Sequence, residues 1–176
     1  MDFNRIEEFL IPTEKHQAIQ DLLKRSFADY PQNQSYYKQL PDFRFLVWKK
    51  DQLVGHLAVE HRIMNNAEQL ITVFGIMDIC VHPDFQNKKI ATKLIQQLEA
   101  LAKKNQIDFL VLTTGDYDFY NQFGFKLVQN TCRWLMINQN KTLGISHRRV
   151  TDSLMVKSIS TKEWKSGLVD FMGTVI

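Results

Sequence analysis

Apolar residues change their spacing several times along the chain, and each change marks an element. They crowd into FNRIEEFLI (Phe3–Ile11), which predicts a first strand, and Pro12-Thr13 breaks it. Ile19, Leu22, Leu23 and Phe27 then recur at helical spacing, predicting a helix over Glu14–Phe27 with Thr13 as its N-cap. Asp29–Asp42 is polar and reads as loop with at most a short helix. FRFLVW (Phe43–Trp48) and LVGHLAVEHRI (Leu53–Ile63) flank the polar turn Lys49–Gln52, the pattern of a hairpin, and Asn65-Asn66 supplies the next turn. Leu70–Val81 is a long apolar run broken by Gly75 and by one acid, Asp78. An isolated glycine in a strand predicts a bulge or a close approach.

From Gln86 to Lys104 the period returns to that of a helix, with Ile90, Leu94, Ile95, Leu98, Leu101 and Ala102 on one face. DFLVLT (Asp108–Thr113) is continuously apolar, as expected of a strand covered on both faces. Leu70–Thr113 therefore predicts a βαβ unit with parallel strands and a right-handed crossover. GDYDFYNQFGF (Gly115–Phe125) predicts a short helix stopped by Gly124, followed by strands at Phe125–Val128 and Arg133–Ile137. Residues 139–153 are polar, hold His147-Arg148-Arg149 and read as an exposed loop; 154–176 read as a C-terminal strand and turn extension. Within it, Ser160–Glu163 has the spacing of a capping box for one turn at Trp164, ended by Gly167. The fold class is α+β, or mixed α/β, with a central mixed sheet that is mostly antiparallel.

Composition narrows the function classes. A chain of 176 residues predicts a single domain over 1–176. Folding at this size buries roughly 70% of the unfolded surface, enough for a core. A net charge of +3 is too small to argue for nucleic acid, though a local basic patch for a small anion fits it. Cys80 and Cys132 make no disulfide framework, and Cys80, in an apolar run, reads as a buried hydrophobe rather than a nucleophile. The N-terminus lacks the pattern of a signal peptide, and no apolar stretch has the length of a membrane span. The expected location is therefore cytoplasmic, with neither membrane nor nucleic acid as partner. No H-E-x-x-H, cysteine pairing, G-x-S-x-G or P-loop is present, and no metal is expected.

VHPDFQNKKIATKLI (Val81–Ile95) runs from strand through a proline into a helix whose predicted first turn holds two lysines. A helix N-terminus offers unpaired N–H groups and partial positive charge, an anion site suited to phosphate. Lysines there oppose the helix dipole, which a docked polyanion would relieve; a solvated first turn is the other reading. IMDICVHPDFQNKKIATKLIQQLE resembles motif A of the GNAT superfamily, the acyl-CoA-dependent N-acyltransferases. Gln86 stands at the first position of its Gln/Arg-x-x-Gly-x-Gly/Ala pattern and Ala91 at the last, but Lys89 replaces the central glycine. FYNQFGF (Phe119–Phe125) resembles the second signature, a tyrosine followed four residues on by Gly-Phe.

The resemblance implies a GNAT fold with splayed strands and flanking helices, and acetyl-CoA as co-substrate. Coenzyme A would lie along Ile79, Cys80 and Val81, with its pyrophosphate on Gln86, Asn87, Lys88, Lys89, Ile90, Ala91 and Thr92. It implies Tyr120 as the acid that protonates the leaving thiolate; packing in a cluster with Phe119, Phe123 and Phe125 is the other reading. Many relatives carry glutamate where Met77 stands and an acid where Asp78 stands. Asp78 is either the base that deprotonates the amine or a structural acid. Glu60, His61 and His82 are weaker candidates, read as exposed strand residues. The reaction so implied is acetyl transfer to a primary amine of a small molecule, by a chain that could pair as a homodimer. STKEWKSGLVDFMG (Ser160–Gly173) faintly resembles the ends of aminoglycoside 2'-N-acetyltransferases and nodulation acyltransferases, so an aminoglycoside-type or longer-chain acyltransferase is an alternative. A non-catalytic acyl-CoA-binding module is another, suggested by Lys89 and Met77. A third is a protein interface carried by Tyr36, Tyr37 and Trp164.

Overall fold

The computed structural model describes residues 1–176, which divide into two compact units: Met1–Glu60 with Ile76–Leu98, and His61–Gly75 with Glu99–Ile176. In the first, β1 (Asp2–Glu7) pairs antiparallel with β2 (Phe43–Lys49), and β2 with β3 (Gln52–Asn66). Helix α1 (Thr13–Ser26) lays Ile19, Leu22 and Leu23 on Leu46, Leu53, Tyr30 and Cys80. The hairpin and the helical face match expectation; two boundaries do not. The first strand stops at Glu7, and Glu8–Leu10 form a 3-10 turn, because the Glu8 side chain turns inward to Arg44. Thr13 is the first helical residue rather than the cap, which is Pro12.

Strand β4 (Gln69–Val81) leaves the second unit at Gly75 and enters the first at Ile76. Gly75 marks a close approach: a Cβ there would lie 2.8 Å from Ile176 Cδ1. The break in the strand's pleat falls instead at Asp78, whose φ is +50°. Helix α2 spans Ile90–Lys104 and starts four residues later than the periodicity suggests. Asn87 and Lys89 adopt left-handed φ values of +61° and +59°, which no right-handed helix accommodates. Ile90 seats on Gly55 of β3, where a Cβ would stand 2.7 Å from Ile90 Cγ2.

In the second unit β5 (Phe109–Thr113) runs parallel to β4, with Val73 opposite Phe109 and Gly75 opposite Val111, so the βαβ unit is present. The short helix α3 (Tyr117–Asn121) follows, then β6 (Lys126–Leu127), β7 (Asn130–Asn138), β8 (Lys141–Val150), β9 (Leu154–Ser158) and β10 (Leu168–Thr174). The strand order is β6-β9-β5-β4-β3-β10-β7-β8, mostly antiparallel, with a second parallel pair at β7–β10. The expected exposed loop at 139–153 is a correction: β8 pairs with β7 along most of it. Its turn, Gln139-Asn140, has both residues at positive φ, as tight hairpins require. Ala67-Glu68 make the previous hairpin turn in the same way, in place of Asn65-Asn66. Trp164 forms no helical turn; its indole N–H donates to Asn130 Oδ1 at 2.9 Å and its ring meets the edge of Phe109. No helix is long and apolar enough to cross a membrane.

Candidate active site

A side-chain-bearing residue at positive φ inside a strand needs something to hold it there. Both ends of Asp78 are held. Its carboxylate accepts a 2.6 Å hydrogen bond from the Tyr30 hydroxyl, and its carbonyl oxygen lies 2.7 Å from His56 Nδ1. His56 Nε2 lies 2.8 Å from Arg44 Nη1, and Arg44 donates through Nε and Nη2 to both oxygens of Glu8, at 2.5 and 3.0 Å. Arg44 and His56 are fully buried and Glu8 nearly so.

Burial raises the Asp78 carboxyl above its ordinary range, against the pull of the Tyr30 hydrogen bond and the Arg44 charge. Burial and the Asp78 charge push the Tyr30 hydroxyl up, so it stays a donor. Burial, with the neighbouring Arg44 charge, lowers His56 to about 3 and keeps the imidazole neutral. Cys80, on the same strand, is buried, and desolvation pushes its thiol up to about 12, which leaves it inert near neutrality.

After β4, Pro83–Phe85 make a 3-10 turn capped by His82 Nδ1, which accepts from Asp84 N–H at 3.3 Å. The first bond of α2 is Lys93 N–H to Lys89 C=O, at 3.0 Å. Ile90, Ala91 and Thr92 therefore present N–H groups with no partner inside the helix. Left-handed residues at 87 and 89 are backbone of the kind that can gather successive amides into an anion-binding concavity. Lys88 Nζ donates to Asp84 C=O at 2.8 Å and stands 4.6 Å from the Phe85 ring centre; Lys49 Nζ stands 4.8 Å from the same ring. Three cationic side chains, from Lys49, Lys88 and Lys89, thus belong to this stretch and the strand end beside Phe85. Lys89 keeps the left-handed backbone that the motif's glycine would supply.

In the second unit Tyr120 lies on α3, 7% exposed, with ring edges against Phe119 and Phe125. Gly124, at φ +84°, closes the helix. Phe125 N–H reaches back to Tyr120 C=O at 3.3 Å and Gly124 N–H to Asn121 C=O at 2.9 Å. This paired closure requires a left-handed residue after the helix and an apolar contact across it. The tyrosine, glycine and phenylalanine of the motif are therefore one structural unit. Burial and Asp116 push the Tyr120 hydroxyl up, so it is protonated near neutrality.

The weaker candidates fare differently. His61 is exposed as expected, whereas Glu60 and His82 are buried, at 6% and 8%. The His147-Arg148-Arg149 cluster is on β8, where Arg148 lies over the Trp134 ring at 5.1 Å. Arg148 borders a cavity of about 380 Å³ with Thr113, Cys132, Trp134, Leu154 and Phe171. Trp164 is half-buried, bonded to Asn130 and packed on Phe109; Tyr37 is exposed and Tyr36 half-buried. No group of three or more His, Cys, Asp or Glu side chains is placed to hold a metal ion. Sequence reading passed over Glu8, Tyr30, Arg44, Lys49 and His56. The one signal present was Arg44 and His56 standing as lone polar residues inside otherwise apolar strands.

A family model described as an acetyltransferase (GNAT) domain matches residues 10–128, well over half of the chain, and the chain belongs to that family. A search of curated protein sequences finds no match. Among solved structures, the GNAT family N-acetyltransferase YhbS from Escherichia coli, in complex with CoA, aligns with a TM-score of 0.64 at 18% identity, covering 96% of this chain and 88% of that one. An aminoglycoside 6'-N-acetyltransferase complexed with coenzyme A gives 0.63 at 17% identity, with 93% and 99% covered. Eis1 from Mycobacterium abscessus gives 0.63 at 13%, covering 74% of this chain and 33% of that one. The chain spans about a third of the length of such larger structures. At these identities the likeness is one of fold, and the fold is the mixed α/β GNAT fold.

Proposed function

We propose that this chain is an acetyl-CoA-dependent N-acetyltransferase acting on a primary amine of a small molecule. The observation that carries this reading is the stretch Gln86–Thr92, where two left-handed residues and the start of α2 gather amides and lysines suited to a diphosphate. It fits the group chemically: backbone donors, adjacent cations and an exposed stretch from Gln86 to Lys89. Acetyl-CoA, when bound, supplies the acetyl group as an activated thioester. Lys88 and Lys89 would balance the phosphate charge, and the amides of Asn87–Thr92 would bond the diphosphate oxygens. The backbone of Ile79, Cys80 and Val81 would bond the extended arm of the coenzyme. The Ile79 N–H, on the turned Asp78–Ile79 peptide, would polarise the thioester carbonyl.

Asp78, its carboxyl raised by burial, is the proposed base toward the incoming ammonium. Tyr120, protonated near neutrality, is the proposed donor to the departing sulfur.

The test is thermal stability with and without acetyl-CoA, run beside thiol release from acetyl-CoA over a panel of primary amines. Ligand at a hundred times its dissociation constant adds about 2.7 kcal/mol of stability. At this chain size that is a rise of roughly 5–10 °C. The expected result is stabilisation that a Lys88→Ala, Lys89→Ala double variant loses, with turnover that Tyr120→Phe slows. No stabilisation and no thiol release with any amine would refute the reading.

A further inference from the structure

Asp78 stands at a left-handed φ of +50° inside a strand, a strained backbone for a residue that carries a side chain. Such a residue persists only where its surroundings over-determine it. The row of groups behind it has one allowed direction of donation. Arg44 has only protons to give, so His56 Nε2, 2.8 Å from Arg44 Nη1, must accept. The ring proton is then on Nδ1, 2.7 Å from the Asp78 carbonyl, and must be donated to it. Glu8 fixes Arg44 from behind by two bonds, so the guanidinium cannot turn away.

We propose that His56, its tautomer set by the buried Glu8–Arg44 pair, is a positioning residue that holds the Asp78–Ile79 peptide in its turned orientation and so aims the Ile79 N–H at the thioester carbonyl oxygen. The proposal rests on the N-acetyltransferase reading above. A trans peptide is planar, so gripping its C=O from one side points the following N–H to the other. A donor aimed at developing negative charge is effective only when it does not have to reorganise, and a buried, singly tautomeric imidazole provides that rigidity. Tyr30 anchors the same residue by its carboxylate, so neither half of Asp78 is free to relax the peptide.

Two measurements test the device. Nitrogen-15 NMR of the histidine-labelled full chain near pH 7 reads the tautomer directly: Nδ1 protonated and Nε2 bare is expected for His56. The reverse tautomer, or an imidazolium, overturns the proposal whatever the chain does to amines. Steady-state kinetics then compare His56→Leu, which cannot donate, with His56→Asn, whose amide nitrogen stands near the place of Nδ1. Losing an aimed donor lowers kcat by about 10²-fold, and the KM for acetyl-CoA should stay within about three-fold. His56→Asn should recover at least about ten-fold of the loss, which a merely structural role would not produce. A folded His56→Leu with unchanged kcat, a loss carried by KM alone, or a His56→Asn as slow as His56→Leu overturns the proposal. If His56→Leu does not fold, the tautomer decides together with His56→Asn measured against wild type: a kcat within about ten-fold of wild type is expected, and a loss of about 10²-fold or more overturns the proposal. A wild-type chain that acetylates no amine refutes the acetyltransferase reading instead, and the tautomer alone then decides whether the device exists.

Discussion

Replacing Arg44 by methionine removes a fully buried guanidinium and leaves two groups without their donor. The Glu8 carboxylate, 8% exposed, loses both of its charged hydrogen bonds, and His56 Nε2 loses its one. Removing one partner of a buried ion pair costs about 3–5 kcal/mol, because the remaining charge stays desolvated. An orphaned buried acceptor adds about 1–3 kcal/mol, offset in part by the packing of the methionine side chain. The net expectation is a loss of about 3–5 kcal/mol, and for a chain of 150–250 residues each kcal/mol moves Tm by about 2–4 °C. Arg44→Met should therefore melt roughly 6–20 °C below wild type, with a matching fall in the urea midpoint. The double variant Glu8→Leu, Arg44→Met removes both charges and should return to within about 1–2 kcal/mol of wild type. Urea unfolding at pH 7 of wild type, both single variants and the double variant closes the cycle and yields the coupling energy. An Arg44→Met variant within about 3 °C of wild type would refute the reasoning. So would a double variant less stable than Arg44→Met.

Gly55→Ala should cost about 1–3 kcal/mol, because the new Cβ falls 2.7 Å from Ile90 Cγ2 and 3.1 Å from Val47 Cγ2. Since Ile90 opens α2, the same variant should bind coenzyme A more weakly by calorimetry; unchanged stability and affinity would contradict the seating of Ile90 on Gly55. Lys89→Gly should stabilise the free protein by up to about 1 kcal/mol, relief of left-handed strain exceeding the added freedom of the unfolded chain. It should still weaken coenzyme binding, through the lost cation; a variant that binds more tightly would exclude Lys89 from the phosphate site. The Asp78 carboxyl is raised above its ordinary 3.8, so the folded state holds its proton more firmly than the unfolded one. Stability from this group is therefore present below that value, is lost as pH rises to the folded value, and is level above it. Asp78→Asn should flatten that fall in urea midpoints across the window, and a slope identical to wild type would show that the fall has another source.

Several elements were legible because their signal is periodic and local. The face Ile19, Leu22, Leu23 of α1 recurs at helical spacing, and the hairpin of β2 and β3 shows two apolar runs about a polar turn. The βαβ unit announces itself by a change of period, since a covered parallel strand is apolar throughout while its crossover helix is apolar on one stripe only. Strand β8 stayed hidden for the opposite reason. It lies at the end of the sheet order and has no buried residue, so burial imposes no apolar alternation on it. The start of α2 was misplaced because periodicity reports side-chain faces, whereas Asn87 and Lys89 depart through their backbone.

The candidate site divides along the same line. The motif residues Gln86–Thr92, and Tyr120 with Gly124 and Phe125, were legible because each motif is one short contiguous stretch that a family pattern can match; local chemistry alone left a solvated first turn and a packing tyrosine open. Those stretches the chain presents by itself. The turned peptide at Asp78 depends on Tyr30, 48 residues away, on His56, 22 residues away, and through His56 on Arg44 and Glu8. In sequence Arg44 and His56 are lone polar residues in apolar strands, while Glu8 follows another glutamate and Tyr30 lies in a polar loop, so nothing local relates the four. A buried polar group acquires its meaning only from the partner that satisfies it. Only the tertiary structure decides which partner that is, because pairing across strands brings together donors and acceptors that no local spacing relates.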